Sequence, residues 1–385
     1  MVTRGVQAAP AFVALALLAG SCGARTEIGA PPPRPPGPEL ALGWGFTCLL
    51  DADAVVRCWG ESFFDHAGAP AATAVVPGVA GAVQISASGD DACALLADGT
   101  LRCWGANEYG QLALPLDVDT MSSPQTVPDL PPLAAVSTST LFSCGLGRDG
   151  SLRCFGDVPP DHLPPPGTPP IEIEQPAPAV VVAASNDSPM AEGHACILDA
   201  SGGAWCFGLN NGRLGDGTMN DRSTPVKVVA PVAFAQIAPG GEHTCALDTA
   251  GDAWCWGHNG QGRLGDGTTS DRLVPTRVVG LAKVAHIASG GYHTCALLRD
   301  ASVWCWGAND EGQLGRGVVD LWLTPNPTPQ RVVGLADVVA LGAGVKHNCA
   351  VLRDASVWCW GLNDFDQLGV TDPYRSAVPV RAAVP

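Results

Sequence analysis

The sequence predicts an all-β, seven-bladed propeller with about four antiparallel strands per blade. Three observations carry this. Fourteen of the cysteines form seven pairs of one spacing, the pairs recur about every fifty residues, and the stretch inside each pair reads as a β-hairpin. The pairs are Cys48 with Cys58, Cys93 with Cys103, Cys144 with Cys154, Cys196 with Cys206, Cys245 with Cys255, Cys295 with Cys305 and Cys349 with Cys359. Their first members lie 45, 51, 52, 49, 50 and 54 residues apart, so residues 39–385 form one repeat array. Duplication is visible directly. Leu298 to Gly307 and Leu352 to Gly361 both read LRDASVWCWG, and Gly212 to Thr218 and Gly262 to Thr268 both read GRLGDGT.

The central hairpin explains the cysteine spacing. Between Cys93 and Cys103, Asp98-Gly99 is flanked by apolar and β-prone residues, with Gly99 placed for the left-handed position of a three-residue turn. Asp149-Gly150 repeats this between Cys144 and Cys154 in the third unit. A turn centred on residue 98 sets 93 and 103 opposite each other, at about 4.5–5.5 Å between Cα atoms, within reach of a disulfide. Each of the seven pairs is therefore expected to close within its own hairpin. Zinc is not expected: nine residues between two cysteines is not a structural knuckle, and no further Cys or His pair completes each set.

An apolar strand precedes each hairpin, as in Val232 to Ala238, and a proline-led strand follows, as in Pro225 to Val229. Four strands in each of seven units is a propeller pattern. The array opens with Leu40-Ala-Leu directly before the first hairpin and ends with Pro379 to Val384. This predicts that the carboxyl-terminal strand closes the ring against the first unit, removing an exposed edge.

Ahead of the array, residues 1–21 read as an export signal: Arg4, an apolar run from Ala8 to Ala19, then Gly20 and Ser21 before Cys22. The run is too short to span a membrane. Ala19-Gly20-Ser21-Cys22 resembles a lipoprotein signal, which implies an acylated Cys22 and a membrane contact through that anchor alone. Residues 22–38, containing Pro31-Pro32-Pro33-Arg34-Pro35-Pro36-Gly37-Pro38, read as an extended, semi-rigid tether. An exported, lipid-anchored or secreted protein of the bacterial cell envelope is expected, and an oxidising compartment fits paired cysteines.

Composition narrows the partners. The net charge is −16 and only Lys227, Lys283 and Lys346 are lysines, so no basic stripe is present to follow a phosphate backbone and nucleic acid is not expected.

Gly241-Glu-His243-Thr-Cys-Ala-Leu247, Cys255-Trp256-Gly257 and Leu264-Gly265-Asp266-Gly267-Thr268 resemble the repeat of the regulator of chromosome condensation family, across roughly residues 39 to 385. The resemblance implies a seven-bladed propeller. It also implies either nucleotide exchange on a small nuclear GTPase, which an export signal and paired cysteines oppose, or the role of the family's secreted bacterial members, which bind and inhibit enzymes such as β-lactamases. The family's His position holds His194, His243, His293 and His347, but Phe46, Asp91 and Phe142 in units one to three. Phe155 and Phe207 stand where Trp follows the second cysteine elsewhere, and Asp157 to Pro178 lacks the Leu-Gly-Asp-Gly segment.

Four histidines in register invite a metal site. Each lies in a different blade, two residues before a cysteine, so they are expected to point between blades and pack or hydrogen-bond there. Trp59, Trp104, Trp256, Trp306 and Trp360 are expected to be core, facing the neighbouring blade. Gly265-Asp266-Gly267-Thr268 offers one carboxylate, which fits a turn better than a calcium loop. Trp322, in the irregular segment Val318-Val-Asp-Leu-Trp322-Leu, is the candidate partner contact.

No serine elbow, paired-His zinc helix or Gly-Lys phosphate loop occurs, and the acidic-box order and the tyrosines present do not fit a sialidase. The expectation is a monomeric, non-enzymatic module without cofactor or metal that binds a protein or glycan at the envelope. An enzyme-inhibitor propeller is the nearest alternative. A propeller lyase or hydrolase requires acidic or histidine side chains clustered at one end of the channel, and a nucleotide exchange factor fits least.

Overall fold

The computed structural model describes residues 37–61, 73–115, 119–161, 168–186 and 193–384. The signal, Cys22 and all of the tether but Gly37 and Pro38 lie outside these residues. Seven four-stranded antiparallel sheets stand in a ring, each built from four strands consecutive in sequence. No helix occurs among the described residues, so none is long and apolar enough to cross a membrane.

Blade five shows the plan. Its strands are Phe234–Pro239, His243–Asp248, Ala253–Gly257 and Arg272–Arg277, running from the channel outward. Because the strands alternate in direction, the turn after the inner strand and the loop after the third strand share one face of the ring, here the loop face. The central hairpin turns and the linkers between blades share the other, the hairpin face. The outer strands begin ahead of their prolines, as in Arg222–Lys227.

Every cysteine pair of the ladder is bonded within its own hairpin. Cys48–Cys58, Cys93–Cys103 and Cys144–Cys154 close blades one to three, Cys196–Cys206 and Cys245–Cys255 blades four and five, and Cys295–Cys305 and Cys349–Cys359 blades six and seven. In each the two residues are direct cross-strand partners, with Cα atoms 4.0–4.1 Å apart. That is slightly closer than the separation expected from an open ladder. The turn between them is closed by an aspartate that accepts its neighbours' amides. Thr100 N donates to Asp98 at 2.8 Å, and Gly99 takes φ +93°. Gly99 also lies against the next blade, since its carbonyl accepts Leu133 N at 2.9 Å and an added Cβ would fall 2.9 Å from that nitrogen. Gly202 and Gly251 accept Phe234 N and Val284 N in the same way, so these hairpins pin the start of the next inner strand.

Inner strands of neighbouring blades are also joined through side chains. Gln84 bonds both the N–H and the C=O of Val136, and Gln236 does the same with Ile287. Glu39 accepts Ile85 N at 3.1 Å. Seven apolar clusters fill the seven junctions between blades, with Trp256 and Phe234, for instance, packed between blades four and five.

The ring does not close as the sequence led us to expect. The carboxyl-terminal strand, Arg375–Arg381, pairs with Val357–Leu362 in its own blade. The first blade has its own outer strand, Ala74–Val75, paired to Val56–Gly60. Among the described residues no strand is left over. Closure is sheet on sheet: Leu42, Leu49 and Trp59 of blade one pack with Val351, Leu368 and Ala382 of blade seven.

Candidate functional site

The junctions set the geometry of the loop face. At four of them the same circuit recurs. His194, His243, His293 and His347 are fully buried, and their Nε2 atoms meet Thr244, Thr294, Asn348 and Thr47 of the following blade at 2.7–2.9 Å. Those residues in turn donate to the carbonyls of Arg213, Arg263, Gln313 and Gln367. Each of these carbonyls also accepts a tryptophan N–H, from Trp256, Trp306, Trp360 and Trp59 respectively. A threonine hydroxyl has one proton and spends it on the carbonyl, so the histidine must be the Nε2–H tautomer. Burial pushes His293 down to about 4 and His347 to about 3, and holds His194 and His243 well below the ordinary imidazole value.

At two other junctions the circuit is replaced by apolar packing. Phe46 sits with Ala92 and Trp104, and Phe142 with Ala195 and Phe207. A larger ring on one blade is matched by alanine on the next. The histidines thus point between blades and converge on nothing, and no group of three or more His, Cys, Asp or Glu side chains gathers for a metal among the described residues.

The channel is spanned at the loop face. Asn186, from blade four, donates to the carbonyls of Ala343 at 2.9 Å and Leu42 at 3.3 Å and accepts the Ser88 hydroxyl at 3.4 Å. A cavity of about 430 Å³ among blades six, seven and one is lined by Leu40, Leu297, Val339, Leu341, Glu39 and His286. Its two titratable groups are both engaged between blades, Glu39 with Ile85 N and His286 with Gln236.

The Gly-Asp-Gly-Thr loops are turns. The Asp266 carboxylate takes Thr268 N and Oγ1, Arg272 Nε and Asn259 Nδ2, and Asp216 repeats the set. Blade six inverts the charges: Arg316 stands at the position of Asp266, and Asp320 answers it. Asp320 also accepts Asn309 and Asn326 at 3.0 Å, which fixes the base of the loop. Beyond that base the chain is apolar and exposed, with Leu321 at 84%, Trp322 at 57% and Leu323 at 62%. Lys346 Nζ stands 5.4 Å from the Trp322 ring centre.

Charge divides the same face. Across blades five to seven it is paired: Glu242 with Arg263 and His258, Lys346 with Asp310 and Glu311, Arg375 with Glu311. His258 and Arg263 hold the Glu242 carboxyl down at about 2. Near blades one and two the carboxyls are pushed up instead, Glu61 by burial and by the charges of Asp90 and Asp364, Asp90 by burial and by Glu108. Trp44 and Phe365 lie beside this acidic half, ring centres 5.4 Å apart.

A family model described as RCC1-like domain matches residues 65–384. The chain belongs to the RCC1-like domain family. A comparison with curated proteins finds no match. Among solved structures, Saccharomyces cerevisiae Prp20p, studied for its binding to Gsp1p and histones, is 19% identical with a TM-score of 0.73, covering 85% of each chain. Human WBSCR16 is 19% identical with a TM-score of 0.66, covering 90% of this chain and 82% of its own. The ectodomain of the Arabidopsis thaliana receptor kinase ACR4 is 20% identical with a TM-score of 0.53, covering 84% and 95%. At these identities the likeness is one of fold.

In this RCC1-like domain the repeated histidines and tryptophans after the cysteines are junction residues, while the exposed apolar residues 321–323 lie in a loop. Trp322 is exposed as a contact requires, and the five core tryptophans are buried. Sequence reasoning passed over Leu321 and Leu323, although the apolar run was in view. It also passed over Asn186, whose signal is the longer spacing between Ala184 and His194 than between the equivalent Pro239 and His243.

Proposed function

We propose that this RCC1-like propeller is a non-enzymatic, protein-binding module of the cell exterior, anchored through Cys22, that presents its loop face to a partner with the blade-six loop as its anchor. One observation carries the reading. Leu321, Trp322 and Leu323 are exposed together on a loop whose base is locked by Arg316, Asp320, Asn309 and Asn326. An apolar anchor held rigid loses little entropy on binding, and tryptophan is enriched among residues that dominate interfaces.

Topology supports the orientation. Gly37 and Ala382 both leave the ring at the hairpin face, so a tether before residue 39 would set the loop face away from its attachment. Seven disulfides favour an oxidising compartment. The engagement of Glu39 and His286 between blades leaves the cavity without a free acid or base, which supports binding over catalysis.

The test is site-specific photo-crosslinking on intact cells, with the reactive residue at position 321 or, as control, at Arg353 on the hairpin face. The expected result is one discrete protein adduct from 321 and none from 353. Trp322→Ala should weaken that complex about 30-fold, the effect of losing about 2 kcal/mol at an interface centre. Equal labelling from both positions, or an adduct indifferent to Trp322→Ala, refutes the loop as anchor. Non-reducing peptide mass spectrometry of the same cells tests location: free cysteines and an unmodified Cys22 would refute an anchored exterior protein.

A further inference from the structure

Four tryptophans take no part in the junction circuits. Trp205, Trp254, Trp304 and Trp358 each precede the second cysteine of blades four to seven, and each is partly exposed. Strand register sets each beside an exposed basic residue of the outer strand: Trp205 with Lys227, Trp254 with Arg277, Trp304 with Arg331 and Trp358 with Arg381. Cross-strand partners lie on one face of a sheet, so ring and cation stand together. Lys227 Nζ lies 5.6 Å from the Trp205 ring centre. The indole N–H groups donate to the hairpin turns of their own blades, to Asp199, Asp248, Ser302 and Ser356 at 3.0–3.3 Å, which holds the rings at the hairpin face.

Each outer strand then runs on into an apolar pair. Val229, Val279 and Val333 follow Lys227, Arg277 and Arg331 by two residues and are 58%, 41% and 43% exposed. The tryptophan of the next blade packs beside the buried member of the pair: Trp254 joins the cluster of Val228, Trp304 that of Val278 and Trp358 that of Val332. At three successive junctions an indole, a cation and an exposed valine therefore share the hairpin side. Blades one to three are different. Arg57, Arg102 and Arg153 stand where tryptophan stands in the others, opposite Val75, Thr126 and Glu172.

We propose that the hairpin side of blades four to seven is a membrane-contact surface, which lays the ring on a bilayer containing anionic phospholipid. Equivalent positions of a ring lie in one plane, so a partner that meets all four blades at once is flat and extended. Tryptophan suits the headgroup level of a bilayer, arginine and lysine reach phosphate while their stems cover apolar surface, and the valines add burial. Charge selects the same side. The chain carries −16, and Glu61, Asp90, Glu108 and Asp364 gather on the loop face, which an anionic surface repels. On the hairpin side, Asp252, Asp300 and Asp354 stand beside Arg277, Arg331 and Arg381, which offset them. The contact is a second one beside the acyl anchor, and rests on the reading of an exterior protein tethered ahead of Gly37 for its access to a membrane. It turns the blade-six loop away from the bilayer and leaves it free for a partner.

The test is co-sedimentation of purified residues 23–385, which keep every strand of the ring and lack both the apolar run and Cys22. The vesicles are phosphatidylethanolamine with phosphatidylglycerol, and phosphatidylcholine alone for comparison. Binding is expected to the anionic vesicles only, and should weaken with added salt. Lys227→Ala with Arg331→Ala, two exposed positions, should lower affinity about 30-fold. Arg153→Ala with Arg375→Ala removes the same charge outside the surface and should change affinity by about twofold at most. No binding to anionic vesicles overturns the surface. Equal weakening by the two pairs also overturns it, since net charge alone would then govern binding. Because the chain tested carries no anchor, failure here is separate from failure of the anchored reading, which the state of Cys22 decides by mass spectrometry.

Discussion

Three hairpins place alanine where four have glycine. Ala54, Ala301 and Ala355 hold φ of 61°, 65° and 66°, at the position of Gly99, Gly150, Gly202 and Gly251. A Cβ in the left-handed region costs about 1–2 kcal/mol, partly offset by the lower unfolded entropy of alanine. Ala301→Gly and Ala355→Gly should each stabilise the fold by about 0.5–1 kcal/mol in urea titration. The buried histidines give a second prediction at this scale. The unfolded chain takes up protons as pH falls through about 6.5, while His293 and His347 stay neutral in the fold to about 4 and 3. Their contribution is therefore whole above pH 6.5 and lost as pH falls towards 3, at about 1.4 kcal/mol per pH unit for each. His347 faces Thr47, with His293 its nearest titratable neighbour. Replacing the pair by Phe and Ala, His347→Phe with Thr47→Ala, copies the packing of Phe46 on Ala92 and should remove one histidine's share of that slope between about pH 6.5 and 4. A slope unchanged by the exchange would mean that His347 does not titrate with unfolding. The histidine positions and their direction between blades were legible from spacing alone. Asp91 was legible only as a departure, because what it lacks is a partner on the following blade, where Ser143 replaces the threonine that answers His243.

Among elements, the hairpin was the most legible. Two cysteines ten residues apart with a turn at their midpoint leave one antiparallel register, and the structure has it at Cys93 and Cys103 and equally at Cys295 and Cys305, where the turn carries alanine instead of glycine. A closed loop of this length stabilises by about 2–3 kcal/mol in the chain-entropy account. Cys245→Ala with Cys255→Ala should lower stability by that amount while leaving the blade's far-UV spectrum intact, because Asp248 still closes the turn on Ala250 and Asp252. A loss much beyond this would mean that the bond holds native packing as well as restraining the unfolded chain. Loops were less legible than hairpins for a physical reason. A hairpin is fixed by residues within it, whereas the blade-six loop is fixed by Asn309 and Asn326 at its two ends and by an Arg316–Asp320 pair that reverses the charges of its relatives. Asn186 is harder still, since its partners lie in blades one, two and seven.

At the scale of the ring, closure without a shared strand has a consequence for stability. Where a strand is exchanged between first and last blades, the seam is hydrogen-bonded backbone, and cutting elsewhere weakens the ring differently from cutting there. Here each of the seven junctions is filled by an apolar cluster between two complete sheets, the seam included. The seam between blades seven and one carries the His347–Thr47–Gln367–Trp59 circuit that three other junctions also carry. The ring is thus cyclic in its contacts although linear in its chain. The expectation of a closing strand came from counting strands at the two ends of the sequence, and it failed because Ala74–Val75, two residues long and without the usual proline, was not visible as a strand. A circular permutant follows from this symmetry. Its new ends lie in the exposed linker at Gly280, between blades five and six, and a flexible linker joins Ala383 to Glu39. It should form the same seven-bladed monomer, with a two-state transition near that of the parent. Domain-swapped dimers or a separate early transition of the terminal blades would show that the native seam is special, and that the seven junctions are not energetically alike.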